Sequence, residues 1–223
     1  KMFPWLISKI ASFILWFLGW EQLDDNFFDQ FLNQPRKIII YPHTTYWDFA
    51  LFAIYSLSRW SRYQDANIYA ILASKFMAGK TRWFFEKFNC IPVSPGGFVD
   101  VVVDKFKQKE VFQIFIAPDG TTRKQEWRSG YYYLAQKLEC PIQVIALDYH
   151  LHRPVIKDPV WTTSSFDETQ TRLKEICSTI PSLYPKNSVL SLPQVETSVF
   201  ARKKLFTRIF TLSVVYLFLY RYA

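Results

Sequence analysis

His43 and Asp48 stand with four residues between them inside an otherwise apolar stretch, IIIYPHTTYWDFALFAIY over 38–55. An imidazole with a carboxylate on one ring nitrogen is a general base. The carboxylate fixes the tautomer and raises basicity, and the other nitrogen stays free to take a proton. Spacing decides whether the two groups can meet. Inside one helix five positions turn ~140° about the axis and put them on different faces. Pro42, Thr44 and Thr45 instead predict a strand ending at Tyr41, a tight turn and a helix starting near Tyr46, with Thr44 or Thr45 as its N-cap. His43 then precedes the helix, Asp48 lies in its first turns, and the carboxylate can fold back onto the ring. A histidine that only caps a helix gives the same local pattern, so the pair needs support from the rest of the chain.

The elements that would position such a pair alternate along the sequence. Strand-like runs fall at 37–41, 68–73, 90–94, 111–117, 142–150 and 155–157, several of them continuous β-branched runs of the kind buried on both faces. Helix-like segments fall between them at 47–60, 79–88, 98–109, 127–138 and 166–180. This alternation predicts an α/β fold with a mixed, largely parallel central sheet flanked by helices.

The two ends read differently. Residues 2–20 are apolar almost all round, broken by Lys9 and two serines, and carry Trp5, Trp16 and Trp20 near their ends. As a helix this stretch reaches across most of a bilayer, and it reads as membrane-embedded or interfacial rather than as a core helix. At the other end Arg202, Lys203 and Lys204 precede an apolar, aromatic-rich stretch. That pattern fits an anchor lying against anionic headgroups, or a helix packed on the core. The predicted organisation is therefore an N-terminal membrane-associated helix (1–24), a central α/β domain (25–196) and a C-terminal basic and apolar membrane-associated helix (197–223).

Composition narrows the partners. The 223 residues carry 21 Phe, 13 Tyr and 8 Trp with a formal charge of +8, which fits an anionic partner such as lipid headgroups, a phosphorylated substrate or nucleic acid. Six glycines are too few for Gly-rich nucleotide loops. Cys90, Cys140 and Cys177 show no CxxC spacing and read as reduced structural thiols. His150 and His152 form His-x-His near Asp148 on the predicted strand, but no third ligand is evident and no metal is expected. Lys105, Lys107 and Lys109 read as the solvated face of a helix.

Three further stretches support the His43–Asp48 pair: FNCIPVSPGG (88–97), FIAPDGTTRKQEWRSGYYYLA (115–135) and CPIQVIALDY (140–149). In this order after His-x4-Asp they resemble the glycerolipid acyltransferases, the family that includes the 1-acylglycerol-3-phosphate acyltransferases. In the second block Phe88, Ile91 and Val93 fit, while Asn89 replaces the family's Gly and Pro95 stands where an Arg is common. In the third, Pro118, Gly120 and Thr121 match, Asp119 replaces Glu, and Arg123 comes one place after the strict Arg position, which Thr122 holds.

The resemblance implies transfer of a fatty acyl group from an acyl-CoA or acyl-carrier-protein thioester to a lysophospholipid hydroxyl, with 1-acyl-sn-glycerol-3-phosphate as the leading acceptor. His43 and Asp48 would be catalytic. Lys75, Ser94, Asp119, Gly120, Thr121 and Arg123 would contact substrate. No cofactor is implied beyond the acyl donor. The implied partners are a phospholipid membrane, the acceptor and the donor, with no nucleic acid, and the site would face the cytosol from a membrane. Two rivals are a catalytically silent lipid-binding relative and a basic nucleic-acid-binding protein.

Overall fold

A computed structural model of the chain describes residues 2–42, 44–77, 79, 82–94, 96–119, 126–183, 188, 190, 192 and 193. In chain order the helices are α1 (Met2–Leu18), α2 (Asp25–Leu32), α3 (Tyr46–Ser58), α4 (Trp60–Asp65), α5 (Arg82–Lys87), α6 (Phe98–Phe106), α7 (Gly130–Lys137) and α8 (Phe166–Ser178). The strands are β1 (Arg36–Ile40), β2 (Ile68–Ala73), β3 (Cys90–Val93), β4 (Phe112–Ile116), β5 (Ile142–Asp148) and β6 (Arg153–Ile156). They form one sheet in the order β3-β2-β4-β1-β5-β6. Every pairing from β3 through β5 is parallel, and only β5–β6 is antiparallel. This is the mixed, largely parallel sheet flanked by helices that the alternation of runs predicts.

Strand polarity follows from burial. Ile38, Ile39 and Ile40 of β1 have no exposed surface, so this strand is covered on both faces as a central parallel strand must be. Ile38 and Ile40 join β4's Ile114 and Ile116 and β5's Val144 under α6, α7 and α8. Ile39 faces the other way, with Ile145 and Leu147, toward α1, α2, α3 and α4. Near the start of α7, Gly130 lets two helices approach: a Cβ there would sit 2.5 Å from Cζ of Phe98 in α6, inside any tolerable contact.

One residue defies the pattern. Lys37, next to Ile38 on β1, is fully buried, and its ammonium donates to the Phe31 carbonyl at the end of α2. It also lies 4.5 Å from the centre of the Phe31 ring. Burial lowers its pKa from 10.5 to about 7. Between those values the folded chain binds fewer protons than the unfolded one, so stability rises with pH across that window and the burial penalty is greatest below it. Lys37→Met, which keeps an unbranched chain of similar volume, should therefore stabilise the fold by about 1–4 kcal/mol at pH 6. The gain should shrink as the pH approaches 10. Denaturant unfolding at the two pH values checks this, and an equal gain at both would refute the charge as its cause.

The N-terminal helix is shorter than expected. It stops at Leu18 because Gly19, at φ +81°, starts a Schellman turn, with Trp20 N–H donating to Leu15 O at 2.9 Å and Gly19 N–H to Trp16 O at 3.0 Å. Seventeen residues rise ~25 Å, less than the ~30 Å hydrocarbon core of a bilayer. Among the described residues no helix is long and apolar enough to cross a membrane. Helix α1 packs along α3 through Ala11 and Leu15 and leaves Trp5, Leu6, Ile10 and Phe13 exposed on its other side. The expected C-terminal helix at 197–223 lies outside the described residues.

A second correction concerns His150 and His152. Strand β5 ends at Asp148, whose Oδ1 accepts from His150 N–H (2.8 Å) and Leu151 N–H (2.9 Å) in an Asx turn. His152 takes φ +53° at the tip of the β5–β6 hairpin. The two histidines therefore sit in a turn and do not share one face of a strand. The lysines of 105–109 close α6 at the sheet edge opposite the strand ends that point to His43: Lys107 pairs with Asp104 at 2.9 Å, and Lys109 donates to the Tyr69 hydroxyl at 3.2 Å.

Candidate active site

All five parallel strands finish at one edge of the sheet, the edge where α/β folds bind ligands. In sequence, His43 and Asp48 follow β1, Lys75 follows β2, Ser94 follows β3, Asp119 to Arg123 follow β4, and Tyr149 follows β5. The chain leaves β1 for α3 on one face of the sheet and leaves β4 for α7 on the other.

The turn after β1 is built by its own side chains. Thr45 is extended (φ −154°, ψ 156°) and is the N-cap of α3, and Asp48 is its third residue, so the two form a capping box. Asp48 Oδ2 accepts from Thr44 N–H at 2.7 Å and from Thr45 N–H at 3.0 Å. The Tyr149 hydroxyl donates to the other oxygen, Oδ1. Asp48 is 4% exposed, so three donors hold a buried carboxylate at the end of β1. Thr44, Asp48, Tyr41 and Tyr149 line one small cavity, backed by Cys177, Ile180 and Ser182.

Tyr41 closes this group from β1. Burial, then the nearby Asp48, Tyr149 and Asp119, push its phenol well above the ordinary value of 10, so it stays protonated and neutral beside the two carboxylates. Asp119 is buried at the end of β4. Sequence reasoning missed Tyr41 and Tyr149 as members of the site. Only the order β4-β1-β5 brings their strand ends together.

The other expected residues are placed as follows. Ser94 is exposed just past β3, its hydroxyl 3.3 Å from that of Ser74 past β2, so the ends of those two strands carry adjacent hydroxyls. Lys75 is in the short 3₁₀ turn Ser74–Met77. His43, Gly120, Thr121 and Arg123 lie outside the described residues. Arg128 N–H donates to Pro118 O at 2.8 Å, which brings an exposed arginine back to the end of β4. The structure thus places Tyr41 within electrostatic reach of both Asp48 and Asp119, and groups Ser94 with the turn that carries Lys75.

The departure at Asn89 has a backbone reason. Asn89 takes φ +51° between α5 and β3, a left-handed conformation that Gly adopts freely and Asn tolerates best among the rest. Its Nδ2 donates to Ile68 O at 3.1 Å and ties this turn to β2. Asparagine does there the conformational work of glycine.

The cysteines offer no nucleophile. All three thiols are free, and burial raises Cys90 to about 11, Cys140 to about 12 and Cys177 higher still. A thiol must ionise to attack, and these stay protonated at neutral pH. Among the described residues no group of three His, Cys, Asp or Glu side chains is placed to hold a metal ion.

Aromatic side chains rim this edge. Trp47, in the first turn of α3, is 62% exposed and Trp83 of α5 is 64% exposed, while Phe49 and Phe85 join the two helices with ring centres 6.3 Å apart.

A family model described as Acyltransferase matches residues 26–148, more than half of the chain, from α2 to the end of β5. No curated protein and no solved structure matches it.

Proposed function

From the premise that this chain belongs to the acyltransferase family and is an acyltransferase, we propose that it moves a fatty acyl group from an acyl-CoA or acyl-carrier-protein thioester to a lysophospholipid hydroxyl at a membrane surface. The first acceptor to expect is 1-acyl-sn-glycerol-3-phosphate. The observation that carries this reading is Asp48: a buried carboxylate held by Thr44, Thr45 and Tyr149 at the strand-end edge, five residues after His43. A carboxylate so held can orient an imidazole and stabilise its protonated form.

In the proposed reaction His43 takes the proton of the acceptor hydroxyl as its oxygen attacks the thioester carbonyl. The tetrahedral oxyanion collapses, the carbon–sulfur bond breaks, and the leaving thiolate takes the proton back from the imidazole. Transfer is direct, in keeping with thiols that stay protonated. Lys75, Ser94, Asp119, Gly120, Thr121 and Arg123 are proposed to meet the substrates, with Arg123 or Arg128 opposing the acceptor's phosphate. No cofactor beyond the acyl donor is needed by this chemistry.

Membrane association is supported by the exposed apolar side of α1, by Trp47 and Trp83 at the rim and by the charge of +8. Helix α1 and the segment 197–223 are proposed to lie in the interface on either side of the catalytic domain at 25–196, on the cytosolic face. Nucleic acid is not a proposed partner.

Purified protein with labelled acyl-CoA, a panel of lysophospholipids and anionic vesicles tests the proposal. We expect product with a phosphate-bearing acceptor, and a several-fold drop in turnover when Trp47→Ala and Trp83→Ala are combined and vesicle binding weakens. Lipid binding with no turnover from any thioester donor would replace the enzyme reading with that of a silent relative.

A further inference from the structure

We infer that Tyr149 is a positioning residue of the acyl-transfer site: its hydroxyl fixes the Asp48 carboxylate in the orientation that the general base requires. The inference rests on the reading of His43 and Asp48 as that base and its partner.

Tyr149 is itself held. It is 8% exposed, its N–H donates to Pro181 O at 3.3 Å, and Trp20 packs edge-on against its ring at a centroid distance of 5.1 Å. The phenol therefore meets Asp48 from a fixed direction. The capping box at the start of α3 uses Oδ2, so the bond from Tyr149 is no part of the helix cap. A phenylalanine would fill the same space, and a buried hydroxyl is costly unless it is bonded. The hydroxyl goes to Oδ1, the oxygen that the cap leaves to other partners. With both oxygens engaged, rotation about the last side-chain bond stops and the plane of the carboxylate is set.

Other titratable groups near this pair come from each packed element. Tyr41 comes from β1, Asp119 from the end of β4 and Cys177 from α8. His152 of the hairpin and Tyr55 of α3 pack against Trp20, which itself packs on the Tyr149 ring. Tyr41 and Cys177 stay neutral near pH 7. A change in the acidic limb of the pH–rate profile after loss of the Tyr149 hydroxyl is therefore not a titration of Tyr41 or Cys177.

The experiment is steady-state acyl transfer from acyl-CoA by the full chain, as a function of pH, for Tyr149→Phe alone and in an Asp48→Asn background. Tyr149→Phe should lower kcat about 10- to 100-fold, the range of a hydrogen bond to a charged group. KM for the thioester should stay the same. The acidic limb should move to higher pH, because a carboxylate relieved of one donor holds the protonated imidazole more tightly. In the Asp48→Asn background the second substitution should cost little more. Wild-type kcat and an unmoved limb in Tyr149→Phe would overturn the inference. So would an equal loss in both backgrounds, or a loss that tracks the melting temperature with the limb in place, since each describes a packing role. Full turnover by His43→Ala would sink the general-base reading, and this inference with it.

Discussion

His43→Ala should lower kcat for acyl transfer by about 10²–10⁴, the contribution of a positioned general base, while KM for the thioester changes little. The substitution should leave the fold intact. Bonds that do not depend on residue 43 hold the start of α3: Thr44 N–H, Thr45 N–H and the Tyr149 hydroxyl all donate to Asp48. The loss should therefore appear in turnover and not in the melting temperature. Turnover equal to wild type would remove His43 from the mechanism. A parallel fall in stability and activity would make the residue a structural one.

Much of the frame behind this expectation is legible in the sequence. The run at 68–73 is β2 to the residue, and the other strands start and end within two residues of their runs. Burial on both faces favours apolar residues at nearly every position, Lys37, Gln113 and Gln143 being exceptions, and that leaves a plain pattern. Short elements escaped because few residues define them. Helix α2 has eight residues, with Phe28 and Phe31 buried and Asp24 as N-cap accepting from Phe27 N–H at 2.7 Å, a signal that the strongly apolar segment before it hides. Helix α1 was expected to run to Trp20, yet Gly19 in the left-handed region ends it at Leu18.

The candidate site was legible only in part, for a different reason. His43 and Asp48 are local: a strand, a turn and a cap join them in sequence. Tyr149 lies 101 positions from Asp48, and the two meet only because β5 pairs with β1 in parallel. Nothing in the period of the hydrophobic residues states which strands are neighbours. The same holds for Tyr41 and Asp119, brought together by the pairing of β1 with β4. Asn89 shows the converse. It departs from the family pattern in sequence, yet its backbone takes a left-handed position that asparagine fills.

Asp48 carries two roles, and two substitutions should separate them. Asp48→Ala removes the acceptor from the N–H groups of Thr44 and Thr45, both of them buried residues, and leaves the Tyr149 hydroxyl without this bond. Losing a cap costs ~1 kcal/mol, and stranding buried donors adds about 1–3 kcal/mol, so stability should fall by about 2–4 kcal/mol. Asp48→Asn keeps one oxygen for the backbone N–H groups and offers an amide N–H to the hydroxyl oxygen of Tyr149. Its stability should stay within about 1 kcal/mol of wild type. Activity should divide otherwise: both substitutions remove the charge that holds a protonated imidazole, so both should lower kcat by about 10²–10⁴. Because the pair acts as a unit, combining His43→Ala with Asp48→Asn should cost little beyond the worse single change. Thermal unfolding and steady-state kinetics on the same preparations decide it. An Asp48→Asn protein that folds normally and turns over at the wild-type rate would reduce Asp48 to a helix cap, and the charge of the carboxylate would then have no part in the chemistry.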